Sequence, residues 1–179
     1  MADCMPACIA LGGKVPGRVV NQLCTAIQAE GLSLDWGDSP FAPASDVDLL
    51  NARQEQNGAL VLWLCDDQAR WGRFGDLEAF LVKQQIEFDL QADGKYEFDP
   101  ERVVYRPDLG PLELATDSTG RIVICADPVQ AAAEAFSTVL ERARSGQLKS
   151  FLEQAEAALA DLRLALPPPY PQLTTFEIV

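Results

Sequence analysis

The chain has no histidine among its 179 residues. That absence removes the commonest general base, the usual Ser-His and Cys-His nucleophile pairs and most zinc chemistry. Carboxylates with a metal, or Lys and Tyr, remain able to catalyse, so an enzyme is not excluded. The expectation nevertheless moves toward a non-catalytic protein without a cofactor. Long apolar runs are lacking too. None approaches the roughly 20 residues that a membrane span needs. The first residues, Met-Ala-Asp-Cys-Met-Pro, lack the basic region and apolar segment of a signal peptide. A cytoplasmic protein is expected.

Positive charge is also scarce. Lys and Arg number 14 against 27 Asp and Glu, a net charge of −13. Residues 1–58 carry −4, residues 59–107 carry −4 and residues 108–179 carry −5. The charge is spread through the fold and is not an acidic tail. Such a surface repels nucleic acid and anionic membrane. It suits cations or basic surfaces, including proteins that themselves bind nucleic acid. Of the five cysteines, Cys8, Cys24, Cys65 and Cys125 lie inside apolar patterns and read as small buried hydrophobes, whereas Cys4 reads as exposed. The Cys4/Cys8 spacing suits a metal, but no further pair or histidine completes a site.

What is present points to one core. Hydrophobic residues make up 48% of the chain, far from a disordered composition. The organising stretch runs from Ala59 to Pro107. Ala59 to Cys65 is a seven-residue apolar run between Asn57-Gly58 and Asp66-Asp67, which predicts a strand buried on both faces. A helix follows from Asp76, as its N-cap, to about Gln85, with Leu77, Phe80 and Leu81 on one stripe. Strand, helix and next strand make a βαβ-like unit. Ile86, Phe88 and Leu90 then alternate with acids, as do Tyr96 and Phe98, around Ala92-Asp93-Gly94. A three-residue loop places Leu90 opposite Tyr96 and Phe88 opposite Phe98. Glu87 then faces Asp99, and Asp89 faces Glu97, so four carboxylates share one face. Opposed like charges cost up to about 1 kcal/mol per pair. Arg102 and Arg106 beside them, a divalent cation or a basic partner would offset that. A solvated face balanced by the arginines is the plain alternative.

The rest of the chain reads in order. Ala7 to Leu11 is a first strand ended by Gly12-Gly13. Gly12-Gly13-Lys14 lacks the remainder of a phosphate-loop pattern and reads as a turn. Pro16 opens a helix to about Glu30, stopped by Gly31, and Leu32 to Trp36 is a short alternating strand. Ser45, with Asp48 three residues on, caps a helix that runs to about Gln56. Leu112 to Ala115 and Arg121 to Cys125 flank a turn as a hairpin. Asp127-Pro128 starts a helix, and Gln147 to Leu166 forms the last one. In that last helix Leu148, Leu152, Ala155, Leu159, Leu162 and Leu166 form a heptad seam. The seam packs within a helical hairpin, or joins two copies as a homo-oligomer. Pro167 to Pro171 is an extended connector, and Phe176 to Val179 an edge strand or tail.

The predicted fold is α+β: a mixed, largely antiparallel sheet covered by helices, with α/β-type alternation early and a C-terminal helical hairpin. One domain is expected over residues 1–166, with a connector and tail over 167–179. The run WGRFGDLEAFL…IEFDLQADGKYEFDPERVVYRP, residues 71–107, resembles a pattern in small acidic proteins encoded by phages and plasmids. The resemblance implies a mobile-element origin and supplies no catalytic residues. Three functions are carried forward. The first is an interaction protein whose acidic face, Glu87, Asp89, Glu97 and Asp99, binds a basic or nucleic-acid-binding protein, as a modulator or inhibitor of a host or defence protein. The second is a metal-dependent hydrolase or phosphodiesterase using Asp66, Asp67, Asp89 and Glu97. The third is an assembly subunit joined through Leu148, Leu152, Leu159 and Leu162.

Overall fold

A computed structural model describes residues 3–95, 98–145 and 151–179. In chain order the elements are β1 (Cys4–Leu11), β2 (Lys14–Val15), α1 (Val20–Glu30), α2 (Asp46–Asn51), β3 (Gln54–Gln56), β4 (Ala59–Arg70), α3 (Gly75–Lys83) and β5 (Phe88–Ala92). Then follow β6 (Glu101–Arg106), β7 (Gly110–Ala115), α4 (Ala126–Arg144), α5 (Phe151–Ala165) and β8 (Glu177–Ile178). The fold is α+β. They form two compact units. One holds the residues up to 122 together with 170–179, and the other holds 123–169.

The first unit is built on a six-stranded sheet of order β3-β4-β1-β5-β6-β7, antiparallel at every step. β4 and β5 both run against β1, so they are parallel to each other with β1 between them. The expected strand-helix-strand unit is therefore present but split, and α3 is its crossover. Alternation sorts the strands into two faces. Ile9 and Leu11 of β1, Leu62 and Leu64 of β4, Phe88 and Leu90 of β5, and Val103 and Tyr105 of β6 enter one core with Leu23 and Ile27 of α1 and Leu77 and Leu81 of α3. The opposite face carries Cys8, Ala10, Trp63, Asp89, Gln91 and Arg102.

Local signals explain the helices. Gly31 closes α1 at φ 71°, a left-handed conformation that glycine adopts without strain. Ser45 and Asp48 form a full capping box on α2. The carboxylate of Asp48 accepts from the Ala44 and Ser45 amides and the Ser45 hydroxyl, which holds its pKa below the ordinary range. Asp76 does not cap α3, which begins one residue earlier with Phe74 as N-cap. Glu30 of α1 instead accepts from the Asp76 and Leu77 amides, and Glu78 accepts from Phe74. A carboxylate supplied by another helix thus does the capping.

Several expectations are corrected. The hairpin after α3 does not close at Ala92-Asp93-Gly94. β5 pairs with β6 instead, Phe88 opposite Tyr105 and Leu90 opposite Val103. The apolar alternation of 101–106 gives β5 a longer partner than 96–98 offers, leaving an eight-residue connection. Lys95 and Phe98 form only an isolated bridge inside it. The helix from Ser45 stops at Asn51, and residues 54–56 are strand. Residues 32–36 contribute one bridge, Ser33 to Cys65, and the hairpin partner of β7 is reduced to Thr116 and Ile122. Asp66 and Asp67 lie inside β4 and not beyond its end. No neighbouring strands of the main sheet are parallel, and the parallel pairing is β2 with β8.

The C-terminal residues are integral to the first unit. Phe176 is 0% exposed. Its amide donates to Leu60 O, while Glu177 and Val179 donate to Gly13 and Val15. A Cβ on Gly12 would stand 2.3 Å from Thr174 O, so glycine there permits the close crossing of the two segments. The second unit is the expected helical pair. Val129, Ala132, Phe136, Val139 and Ala143 of α4 and Phe151, Ala155, Ala158, Leu162 and Ala165 of α5 are among the more sheltered residues and recur at heptad spacing. The sheltered series on α5 shares Ala155 and Leu162 with the expected seam but takes Phe151, Ala158 and Ala165 in place of Leu152, Leu159 and Leu166. Leu152 is 72% and Leu159 37% exposed. Leu148 and Glu97 lie outside the described residues.

Candidate functional site

The register expected to oppose Glu87 and Asp89 to the acids of 97–99 is not used, because β5 pairs with β6. Glu87 turns to the C-terminal segment and accepts from the Thr174 amide at 3.1 Å and its hydroxyl at 2.9 Å. Asp89 is held by two arginines. Arg102 hydrogen-bonds its Oδ2, and Arg106 Nη1 lies 2.9 Å from its Oδ1. Asp99 is exposed in the 93–100 connection. The arginine answer to the acids is therefore the one adopted for Asp89. A third arginine meets other acids nearby. Arg73 reaches Glu78 at 2.6 Å, Glu101 at 3.3 Å and Glu113 at 3.5 Å. The hydrogen bonds it donates to the Glu78 carboxylate hold its guanidinium above the ordinary arginine value.

Two recesses of the first unit are lined by strands of the sheet. The larger, about 540 Å³, lies over the sheet face opposite the core. Cys8, Trp63, Asp89 and Arg102 contribute from the strands, and Tyr170 and Gln172 from the C-terminal segment. The Asp89–Arg102 pair is a built part of its wall. The smaller, about 170 Å³, is formed where the 31–40 loop meets β4. Asp35, Asp38, Asp66 and Asp67 line it, and its described lining has no cationic side chain. Trp36, between two of those acids in sequence, is 43% exposed. It meets Trp63 edge-on, with ring centroids 5.7 Å apart. The loop is held to the strand by the Ser33–Cys65 bridge and by Gly37 N donating to Asp67 at 3.1 Å.

The metal reading needs Asp66 and Asp67 to converge with the acids near β5. They line a different recess from Asp89, and among the described residues no three Asp, Glu or Cys side chains are grouped to hold a metal ion. Asp66-Asp67 was visible in the sequence as a polar pair after an apolar run. Asp35, Trp36 and Asp38 were visible only as loop composition, since nothing local says which strand the loop lies against. Among the described residues, no helix is long and apolar enough to cross a membrane. Comparison of the chain with protein-family models, with curated proteins and with solved structures finds no match.

Proposed function

We propose that the chain is a non-catalytic interaction protein that binds a basic segment of another protein at the Asp35–Asp38 and Asp66–Asp67 recess. One observation carries the reading: four carboxylates line a recess of about 170 Å³ whose described lining holds no cation. Small-molecule sites occupy roughly 300–1,000 Å³, so this recess is scaled to a side chain. Lys or Arg fits its chemistry. The carboxylates attract the charged head. The net charge of −13 favours approach of a basic partner at long range. The resemblance of residues 71–107 to mobile-element proteins supports a nucleic-acid-binding host or defence protein as that partner, with this chain as its modulator or inhibitor. A surface that binds such a protein in place of nucleic acid would present carboxylates where phosphates lie.

The test is binding of a fluorescent Lys/Arg-rich peptide, followed by anisotropy at graded salt. Affinity is expected to fall steeply between low and physiological salt. It is also expected to fall at least tenfold in Asp35→Lys/Asp67→Lys and to be unaffected by Asp99→Lys. Equal affinity in the recess variant, or binding indifferent to salt, would remove the reading.

A further inference from the structure

We propose that Cys8 and Cys65 are a disulfide-forming pair, joined across β1 and β4 when a small-molecule disulfide is supplied. The two residues are direct partners in the antiparallel register of these strands. Which kind of partner they are follows from Ser33. The Cys65 amide donates to Ser33 O at 2.9 Å, and the Ser33 amide donates to Cys65 O at 2.8 Å. Both backbone groups of Cys65 are therefore turned away from β1. Cys8 and Cys65 must then form a non-hydrogen-bonded pair, the closer of the two antiparallel arrangements, with Cα atoms about 4.5 Å apart and side chains on the same face. Disulfides span Cα separations of roughly 4.4–6.8 Å, so no strand has to move to close the bond.

Access is asymmetric, and the asymmetry orders the steps. Cys8 is half-buried and lines the large recess on the sheet face. Cys65 is 1% exposed, with its thiol 3.7 Å from Ser33 O. The Cys8 thiolate attacks one sulfur of the reagent RSSR. The S–S bond of the reagent breaks, RS⁻ leaves and takes up the proton that Cys8 released, and Cys8 carries a mixed disulfide. Cys65, deprotonated in turn, attacks the Cys8 sulfur and expels the second RS⁻, which is protonated to RSH. Two thiols are oxidised by two electrons, and one RSSR becomes two RSH. In the register of β1 and β4 it is Cys8 and Cys65 that stand opposite each other. Cys4 stands opposite Arg70, Cys24 is buried on α1, and Cys125 is exposed in the second unit. Burial pushes both thiols up, Cys65 to about 12. Closure is therefore slow at neutral pH and should quicken about tenfold per pH unit with the thiolate fraction.

The full chain is incubated with oxidised and reduced glutathione at graded ratios, quenched with acid, alkylated, digested without reduction and mapped by mass spectrometry. The expected product is a Cys8–Cys65 cross-linked peptide pair lacking two hydrogens. It should form equally in the Cys4→Ser/Cys24→Ala/Cys125→Ser variant, in which only the pair remains. Cys65→Ser should stop at glutathione on Cys8. Three results would overturn the proposal: stable glutathionylation of Cys8 with Cys65 still alkylatable in the wild type, a cross-link appearing only in denaturant, or Cys65 linked to a different cysteine. The wild-type map alone decides the matter if a variant fails to fold.

Discussion

Asp89→Asn removes one negative charge beside two arginines, and the structure predicts how much that matters. Arg106 is 3% exposed. Its donors reach Phe88 O at 3.1 Å, Tyr105 O at 2.9 Å and Pro171 O at 3.1 Å, and its charge is met by Asp89. Removing one partner of a buried pair costs about 3–5 kcal/mol, because the other charge stays buried without its counterion. Arg106 keeps three carbonyl acceptors, which favours the lower end. Arg102 is partly exposed and adds at most about 1 kcal/mol. A loss near 3 kcal/mol is expected, a large share of a typical fold stability of 5–15 kcal/mol. All three tryptophans lie in the first unit, so fluorescence in urea follows that unit. With a slope of about 2 kcal/mol/M the midpoint should drop by about 1.5 M. Asp89→Asn/Arg106→Met should recover part of the loss, since it removes both buried charges together. A midpoint within about 0.3 M of wild type for Asp89→Asn, with a slope near 2 kcal/mol/M, would refute the reasoning and return Asp89 to a solvated surface role.

Two further outcomes are expected. Phe176→Ala deletes a fully buried ring from the C-terminal segment, and should lower stability by about 3–5 kcal/mol in the same urea assay; a change under about 1 kcal/mol would mean that the C-terminal segment is not held by the core. The Cys65 thiol ionises near 9.0 when unfolded and at about 12 when folded, so its share of stability is complete below pH 9, declines as pH rises above that and is gone beyond pH 12. Thermal melts from pH 8 to 10.5 should therefore fall less steeply in Cys65→Ala than in wild type, and parallel curves would refute the assignment.

Helix positions, the class of the fold and the location of most core residues were legible from residue order. Gly31, the Ser45–Asp48 box and the apolar stripes of α1, α3 and α4 act within a few residues of themselves, and their physics does not need the remainder of the chain. The alternation of Phe88 and Leu90 likewise determined which face is buried, because any register of the same parity keeps it. The pairing partner was another matter. Residues 96–98 and 101–106 offer β5 similar alternation, and the choice between them is decided by which stretch can also bury Val103 and Tyr105 against the helices and present Arg102 and Arg106 to Asp89. The seam of α5 shows the same limit. Leucines at heptad spacing mark one stripe, but the sheltered series keeps only Ala155 and Leu162 of it and takes Phe151, Ala158 and Ala165 in place of three leucines, since small side chains let two helices approach. The composition and charge, and hence the exclusion of histidine chemistry, were determined by the sequence alone. The meeting of Asp35 and Asp38 with Asp66 and Asp67, and of Cys8 with Cys65, was decided only by tertiary structure, since each joins segments separated by dozens of residues whose contact depends on strand order.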